Sequence, residues 1–370
     1  MATDQLLLHI LLNILALSYT YHSSNCRTPA NELGSCVPLT ECGFFQEITR
    51  KSMIFSSDLQ YILTSQCGFR SNEPRLCCPA TKPPSANFQP NTKVRKSRLP
   101  EAPDCGIQYT NRIIGGERTS VTDFPWTARI QHYDHNFEEY GFHCGGSLIN
   151  NRYVLTAAHC VSGIPFSWTI NAVRLGEWDI QSDPDCLYDD SDCFEPVQDI
   201  QVEKEIVHED FVNTRLQVQN DIALLRLAKE VRTSQTVQPI CLPLNEQFST
   251  RQYEDMKMFV TGWGQTESET NSRYKMVVAV KGVSQQLCRR HYLTASIDDS
   301  QICAGEEMGK DSCKGDSGGP LMDLTVSESS VVYYLAGVVS FGKQCGLADV
   351  PGVYTKVNWF GEWILDNIEP

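Results

Sequence analysis

Short apolar runs rich in strand-favouring residues recur along residues 105–370, and Gly, Pro, Asn and Asp separate them. Four such runs are Tyr153 to Leu155, Ile222 to Leu227, Met276 to Val280 and Val331 to Ser340. Many short strands with turn residues between them predict an all-β fold, either a barrel or a sandwich.

The C-terminal end of the chain has a different period. Its apolar residues recur at the three- and four-residue spacing of one helix face: Trp359, Phe360, Trp363, Ile364 and Ile368. We expect a C-terminal helix that docks on the β-structure. Its aromatic residues are predicted to be core rather than part of a ligand site.

The N-terminus contains a short apolar run from Leu6 to Leu17, which is too short to span a bilayer comfortably. It predicts a signal peptide over residues 1–22 and a secreted protein. The run is irregular, because Asp4 precedes it and His9 and Asn13 interrupt it. An N-terminal membrane anchor is the alternative.

Sixteen cysteines indicate an oxidising compartment and a disulfide framework. Metal binding is the weaker alternative, because the cysteines do not form C-x-x-C pairs with His nearby. Residues 26–78 hold six of them, namely Cys26, Cys36, Cys42, Cys67, Cys77 and Cys78. We expect a small interaction or regulatory module, although spacing alone does not choose among the fifteen possible pairings. The proline-rich residues 79–112 are predicted to be a linker and activation segment.

The formal net charge of −14 narrows the classes of partner that this chain is expected to bind. An acidic chain repels phosphate backbones and anionic lipid, so neither nucleic acid nor a membrane surface is an expected partner.

Three segments of residues 105–370 carry candidate chemistry. His159 follows Thr156-Ala157-Ala158, Asp221 precedes an apolar strand, and Ser317 lies within Gly315–Pro320, which reads GDSGGP. A Ser hydroxyl becomes a strong nucleophile when an imidazole takes its proton, and a buried carboxylate orients that imidazole. The N–H groups of Gly315 and Ser317 are expected to form an oxyanion hole.

These motifs resemble the trypsin/chymotrypsin-type serine proteases over residues 113–370. The Ile113-Ile114-Gly115-Gly116 segment, the His159, Asp221 and Ser317 motifs, Thr261–Gly264 and Pro351–Tyr354 match that family in order. The resemblance implies two six-stranded antiparallel β-barrels with the active site between them. It also implies that His159 is the base, Asp221 orients it and Ser317 is the nucleophile.

The same resemblance places Asp311 at the base of the primary substrate pocket. A carboxylate there pairs with a substrate Arg or Lys side chain. Gly342 and Gly352 match the pocket walls, where small residues leave room for a long side chain. The implied activity is a serine endopeptidase that cuts after Arg or Lys and needs no cofactor for its chemistry.

Residues 26–78 resemble a clip domain, including the adjacent Cys77 and Cys78. Clip-domain proteases are arthropod haemolymph zymogens of cascades that activate prophenoloxidase in melanisation or process the ligand of the Toll pathway. The implied partners are a protein zymogen or pro-ligand as substrate, an upstream trypsin-like activator and a serpin inhibitor. The alternatives are a digestive trypsin, which has no need of a clip domain, and a non-catalytic clip-domain homologue, in which the triad would be altered.

The two resemblances together imply a set of disulfides. The pairs are Cys26–Cys77, Cys36–Cys67, Cys42–Cys78, Cys105–Cys241, Cys144–Cys160, Cys288–Cys303 and Cys313–Cys345. Cys186 and Cys193 remain as the last pair.

Cys186 and Cys193 lie in an acidic insertion that can bind Ca²⁺ in this family. Hard oxygen ligands suit Ca²⁺, and the candidate ligands are Glu177, Asp179, Asp185 and a carbonyl or hydroxyl of Ser182. A plain acidic surface loop is the alternative.

The segment around Arg112 has the form of an activation site. A cut between Arg112 and Ile113 would create a new ammonium group on Ile113, which is expected to pair with the carboxylate of Asp316. The Cys105–Cys241 disulfide would keep the N-terminal part attached after that cut. The specificity of the enzyme for Arg also permits self-activation.

Overall fold

The structure is a computed structural model that describes residues 25–28, 33–49, 65–70, 73–79, 98–108, 117–187, 192–214, 217–265, 271–292, 296–305, 315–326, 331–342 and 350–369. The chain divides into two compact units, Met1–Arg95 and Lys96–Pro370. Among the described residues, no helix is both long enough and apolar enough to cross a membrane.

The N-terminal unit is a small sheet fastened by disulfides. Its elements are β1 Asn25–Arg27, β2 Leu33–Pro38, helix α1 Gly43–Thr49, β3 Gln66–Arg70 and β4 Glu73–Pro79. The strand order is β1-β2-β4-β3. Cys42, Phe45 and Leu76 form its buried core. Because this core is so small, disulfides must supply much of the stability; the structure joins Cys26–Cys77, Cys36–Cys67 and Cys42–Cys78.

The C-terminal unit begins with β5 Glu117–Arg118 and a closed barrel of six antiparallel strands. Those strands are β6 Thr127–Asp134, β7 Glu139–Leu148, β8 Tyr153–Thr156, β9 Trp168–Leu175, β10 Gln198–Val207 and β13 Ala223–Leu227. The short strands β11 Val212–Asn213 and β12 Val218–Gln219 pair outside the barrel. Ile130, Leu155, Val173 and Leu225 are fully buried in its core.

A second barrel of six antiparallel strands follows. Its strands are β14 Lys257–Gly262, β15 Met276–Val283, β16 Gln301–Ala304, β17 Pro320–Val326, β18 Val331–Phe341 and β19 Gly352–Lys356. The β14–β15 pairing closes the barrel, and β5 adds to its outside along β15. Two short helices flank it, α2 Glu246–Ser249 and α3 Gln285–His291. The two antiparallel barrels confirm the expected fold class.

The C-terminal helix α4 spans Gly361–Asn367 and follows a 3₁₀ turn at Val357–Phe360. Phe360, Ile364 and Ile368 are buried in the main core cluster, as expected. The prediction was wrong for Trp359, which is 60% exposed. A 3₁₀ turn has three residues per turn, so Trp359 falls out of phase with the apolar face of the helix that follows.

Part of the predicted linker packs on the C-terminal unit. Leu99 belongs to the main core cluster, and the Arg98 carbonyl accepts a hydrogen bond from Asn150. Cys105 is buried in a disulfide with Cys241. Residues 98–108 are therefore anchored to the second unit rather than forming a free tether.

Candidate active site

His159 lies just after strand β8, and the disulfide of the next residue, Cys160, holds it in place. The chain leaves β8 at Thr156 and makes a 3₁₀ turn at Ala158–Cys160. Cys160 is bonded to Cys144 of β7. Because Cys160 directly follows His159, this disulfide fixes the backbone that carries the imidazole.

Asp221 lies just before strand β13 and is only 1% exposed. Its carboxylate oxygens lie 2.8 Å from His159 Nδ1 and 2.9 Å from the His159 backbone nitrogen. The Ser340 hydroxyl also donates to this carboxylate, and the Thr355 hydroxyl donates to the Asp221 carbonyl at 2.8 Å. Burial alone would raise the pKa of Asp221, but the attraction to His159 and the hydrogen bonds from His159 and Ser340 hold this pKa below its ordinary value.

Ser317 occupies a tight turn between Gly315 and Gly319. The turn is closed by a 2.8 Å hydrogen bond from the Gly319 nitrogen to the Asp316 carbonyl. The Ser317 carbonyl accepts a 2.7 Å bond from Gly145, the residue after Cys144. Cys144 is bonded to the neighbour of His159, so the serine turn and the histidine turn meet at the same point of β7.

Glycine is required beside Ser317. Gly318 has a φ of +79°, and a Cβ there would lie 2.6 Å from the Gly145 carbonyl oxygen and 3.2 Å from Cys160 Sγ. Gly315 has a φ of +100°, which disfavours any residue with a side chain. These backbone conformations let the Gly315–Ser317 turn pack directly against the histidine segment.

The Asp316 carboxylate lies in a cradle formed by two glycines. It accepts a 2.8 Å hydrogen bond from the Gly264 nitrogen. A Cβ built on Gly262 or Gly264 would collide with its oxygens. A cavity beside it is lined by Ala128, Phe142 and the backbone of Gly262.

The described residues also bring the two predicted pocket walls together. A Cβ added to Gly342 would meet a single atom within 4 Å, the Cα of Gly352 at 3.9 Å. Asp311, Arg112, Ile113, Cys313 and Cys345 lie outside the described residues.

The arrangement can perform nucleophilic acyl transfer. The carboxylate of Asp221 binds His159 through Nδ1, which leaves Nε2, 3.7 Å from Cys160 Sγ, as the nitrogen that would take a proton from Ser317 and return it to the leaving amine if Ser317 is the nucleophile, as expected. The donors of the Gly315–Ser317 turn can stabilise the oxyanion of a tetrahedral intermediate.

Comparison with known families agrees with this chemistry. The family model "Trypsin" matches residues 113–364. The chain belongs to the trypsin family of serine proteases. The protease is therefore a serine endopeptidase, and its chemistry needs no cofactor. A second model, the regulatory CLIP domain of proteinases, matches residues 26–78.

The relatives of the protease match over nearly its whole length. Serine protease ea of Drosophila melanogaster is 41% identical, over 93% of this chain and 91% of the relative. Melanization protease 1 of the same species is 38% identical, over 93% and 92%. The crystal structure of the Drosophila Grass clip serine protease of the Toll pathway superposes with a TM-score of 0.64 at 33% identity, over 92% of this chain and 96% of that one.

The acidic insertion partly fits the predicted Ca²⁺ ligands. Glu177 and Asp185 are 2% and 3% exposed. Burial raises the pKa of both carboxyl groups. The negative charge of Asp185 raises the pKa of Glu177 further, whereas Arg129 and Arg174 lower it. Ser182 Oγ donates to Asp185 at 3.0 Å. Cationic side chains already lie close by, since Arg174 Nη1 is 3.2 Å from Glu177 Oε2 and the buried Lys275 is attracted to both carboxylates.

The Asp179 side chain does not fit this cation site. Both of its oxygens bind Arg273, at 2.6 and 2.7 Å. The only cluster of three or more metal-ligating side chains within 4.8 Å of one another in the described part of the chain is Cys144, His159 and Cys160. There the two cysteines form a disulfide, so this cluster is not a metal site. The Cys186–Cys193 bond closes the insertion.

Sequence reasoning missed Ser340, Thr355 and Arg273. Ser340 is the last residue of the run Val331 to Ser340, which predicts a strand and no site residue. The signal available for Ser340 and Thr355 was a hydroxyl among the apolar residues of a buried strand, since a buried hydroxyl needs a partner. No feature of the sequence linked Arg273 to Asp179.

We expect Ser317→Ala to lower kcat by roughly four to six orders of magnitude after cleavage with immobilised trypsin, because the nucleophile is lost while the oxyanion donors remain. The melting temperature should stay unchanged. Amidase assays on an Arg substrate measure the loss, with the exposed Ser249→Ala as matched control. Wild-type turnover by the purified, cleaved variant would contradict the triad assignment.

Proposed function

We propose that this protein is a secreted zymogen, activated by a cut between Arg112 and Ile113, that cleaves other proteins after Arg or Lys in an extracellular cascade. The observation that carries the proposal is that the trypsin-family match begins at Ile113, directly after an arginine. More than a hundred residues precede that point, and they include the CLIP match. A digestive trypsin has no need of such a segment.

The cascade is proposed to serve innate immunity. One relative is named as a melanization protease, and another has a structure described as a protease of the Toll pathway. The substrate would then be a protein zymogen or pro-ligand in haemolymph. Because the residue before the cut is Arg112, the activator would itself be trypsin-like, and a serpin would be the matching inhibitor.

Activation is proposed to be electrostatic. The cut creates an ammonium group on Ile113, and an ammonium buried without a partner is costly. The Asp316 carboxylate lies beside the cavity lined by Ala128 and Phe142, with its oxygens against Gly262 and Gly264. Pairing of Ile113 with Asp316 would hold the Gly315–Ser317 turn in the conformation that binds an oxyanion. The intact chain lacks that ammonium and should be inactive.

The variant Arg112→Gln should stay inactive when it is incubated with trypsin, because its 112–113 bond resists cleavage. The linker variant Arg95→Gln is the matched control and should activate normally. The activity is measured on an Arg amide, and cleavage is followed on gels. The activated wild type should run as two chains on a reducing gel and as one chain on a non-reducing gel. Full activity of Arg112→Gln with that bond intact would disprove this mechanism.

The primary specificity is proposed to come from Asp311 at the base of a pocket walled by Gly342 and Gly352. Asp311→Ser should remove the preference for Arg and Lys, because a substrate cation would then enter the pocket without a counter-charge. The measurement is the ratio of kcat/KM for matched Arg and Phe peptides. An unchanged ratio would show that another residue selects the cation.

Calcium is proposed to bind Glu177, Asp185 and backbone oxygens of the acidic insertion, with no contribution from the Asp179 side chain. Millimolar Ca²⁺ should raise the melting temperature of the activated protease by a few degrees through binding to the folded state. Asp185→Asn should abolish the shift, whereas Asp299→Asn, which changes an exposed carboxylate outside the insertion, should keep it. Equal melting temperatures in Ca²⁺ and in EDTA would favour a plain acidic loop.

A further inference from the structure

Three aromatic side chains at one end of the first barrel are strongly exposed. Phe137 is 75% exposed, Tyr140 is 62% exposed and Phe166 is fully exposed. Burial of an aromatic side chain is favourable, so a group of exposed ones typically marks a surface that binds a partner. We call this group, together with Tyr133, the aromatic edge.

The members of the aromatic edge are neighbours in the fold. Tyr133 of β6 is opposite Tyr140 of β7, and their ring centroids are 4.8 Å apart. Phe137 lies in the turn that joins these strands. A 2.9 Å hydrogen bond from the His135 nitrogen to the Ser167 carbonyl brings the segment with Phe166 to the same turn.

Strand β7 connects the aromatic edge to the catalytic residues. Cys144 of β7 is bonded to Cys160, beside His159, and Gly145 binds the Ser317 carbonyl. A strand rises about 3.4 Å per residue, which places Tyr140 roughly 14–17 Å along β7 from these contacts. Between them, the His143 ring stacks on Trp168 with a centroid distance of 4.1 Å.

The chemistry determines which part of a substrate passes over β7. His159 must return its proton to the leaving amine, so the residues after the scissile bond depart beside His159 and Cys160. The side chain before the bond enters the pocket of the second barrel. An extended segment of roughly four to six residues after the cut would reach from the Cys144–Cys160 bond to the aromatic edge.

The charge around the aromatic edge is negative. Residues 131–142 contain Asp134, Glu138 and Glu139 and no Lys or Arg. The Asp134 carboxylate is fixed by Trp168 Nε1 at 2.7 Å and by the Asn136 nitrogen at 2.9 Å. A complementary segment would therefore carry apolar side chains together with basic ones.

We propose that the aromatic edge binds the part of a protein substrate that lies about four to eight residues after the scissile bond, and that it selects a segment with apolar and basic side chains. This selection rests on the proposed function, since it adds to a cut after Arg or Lys. It would distinguish protein substrates that share the same residue before the cut.

The test uses internally quenched peptides with one sequence up to the Arg and roughly ten residues after it, long enough to reach the edge at ~3.3 Å per residue. One peptide carries Leu, Phe and a Lys four to eight residues after the cut, with Pro directly after the Lys so that the Lys is not itself a cleavage site, and the other carries Ser and Glu there. The activated wild type should favour the first by about tenfold in kcat/KM, equivalent to ~1.4 kcal/mol. In Phe137→Ser/Tyr140→Ser the ratio should fall close to one.

Two controls separate the possible failures. Trp359→Ala removes an exposed aromatic elsewhere and should keep the wild-type ratio, and a short Arg amide should be cleaved equally by every variant. A wild-type ratio near one, or a double variant that keeps the full ratio, would overturn the proposal while leaving the proposed function intact. A wild type that cleaves neither the amide nor the peptides would overturn both. If the double variant altered only the rate of activation by trypsin, the edge would serve the N-terminal unit instead and the proposal would be wrong.

Discussion

A carboxylate that is almost completely buried must be surrounded by donors, and Asp221 obtains them from both barrels. His159, which follows a strand of the first barrel, bonds the carboxylate, and so does Ser340 on β18 of the second barrel. Thr355 on β19 adds a bond to the Asp221 backbone carbonyl. An unpaired carboxylate in this position would cost several kcal/mol. The geometry of the barrel interface and the orientation of the catalytic base are therefore set by the same group.

Ser317, the proposed nucleophile, depends on the same interface through backbone rather than side-chain contacts. Gly145 of the first barrel binds the Ser317 carbonyl, while Gly318 and Val339 of the second barrel are bonded through their backbones. Glycines without side chains permit this close approach at Gly318 and beside Asp316. A new partner for the Asp316 carboxylate would therefore act directly on the proposed oxyanion donors, because Asp316 is the one residue between Gly315 and Ser317.

Much of the fold and of the site follows from local signals in the sequence. The runs at Tyr153, Met276 and Val331 became β8, β15 and β18, because apolar residues bounded by turn residues have few alternatives to a buried strand. The triad was recognisable because each member has its own motif. The exposure of Trp359 was not recognisable, because Trp359 lies in a 3₁₀ turn that the apolar pattern does not distinguish from an α-helix.

Contacts between distant segments were beyond the reach of those signals. Arg273 binds Asp179 across more than ninety residues, and Ser340 and Thr355 bind Asp221 across more than a hundred. Leu99, in a stretch of prolines, packs into the main core. In each case the partner is determined by the three-dimensional arrangement of the strands, which a local pattern does not contain.

The anchoring of residues 98–108 also determines what stays attached to the catalytic unit. The Cys105–Cys241 bond and the packing of Leu99 hold this segment on the catalytic unit independently of the chain at Arg112. A partner that binds the N-terminal unit therefore also retains the catalytic unit. Because the two units are tethered, the catalytic unit then has a high effective concentration near that partner. The proposed cut at Arg112 would therefore leave the catalytic unit in the assembly in which the cut was made.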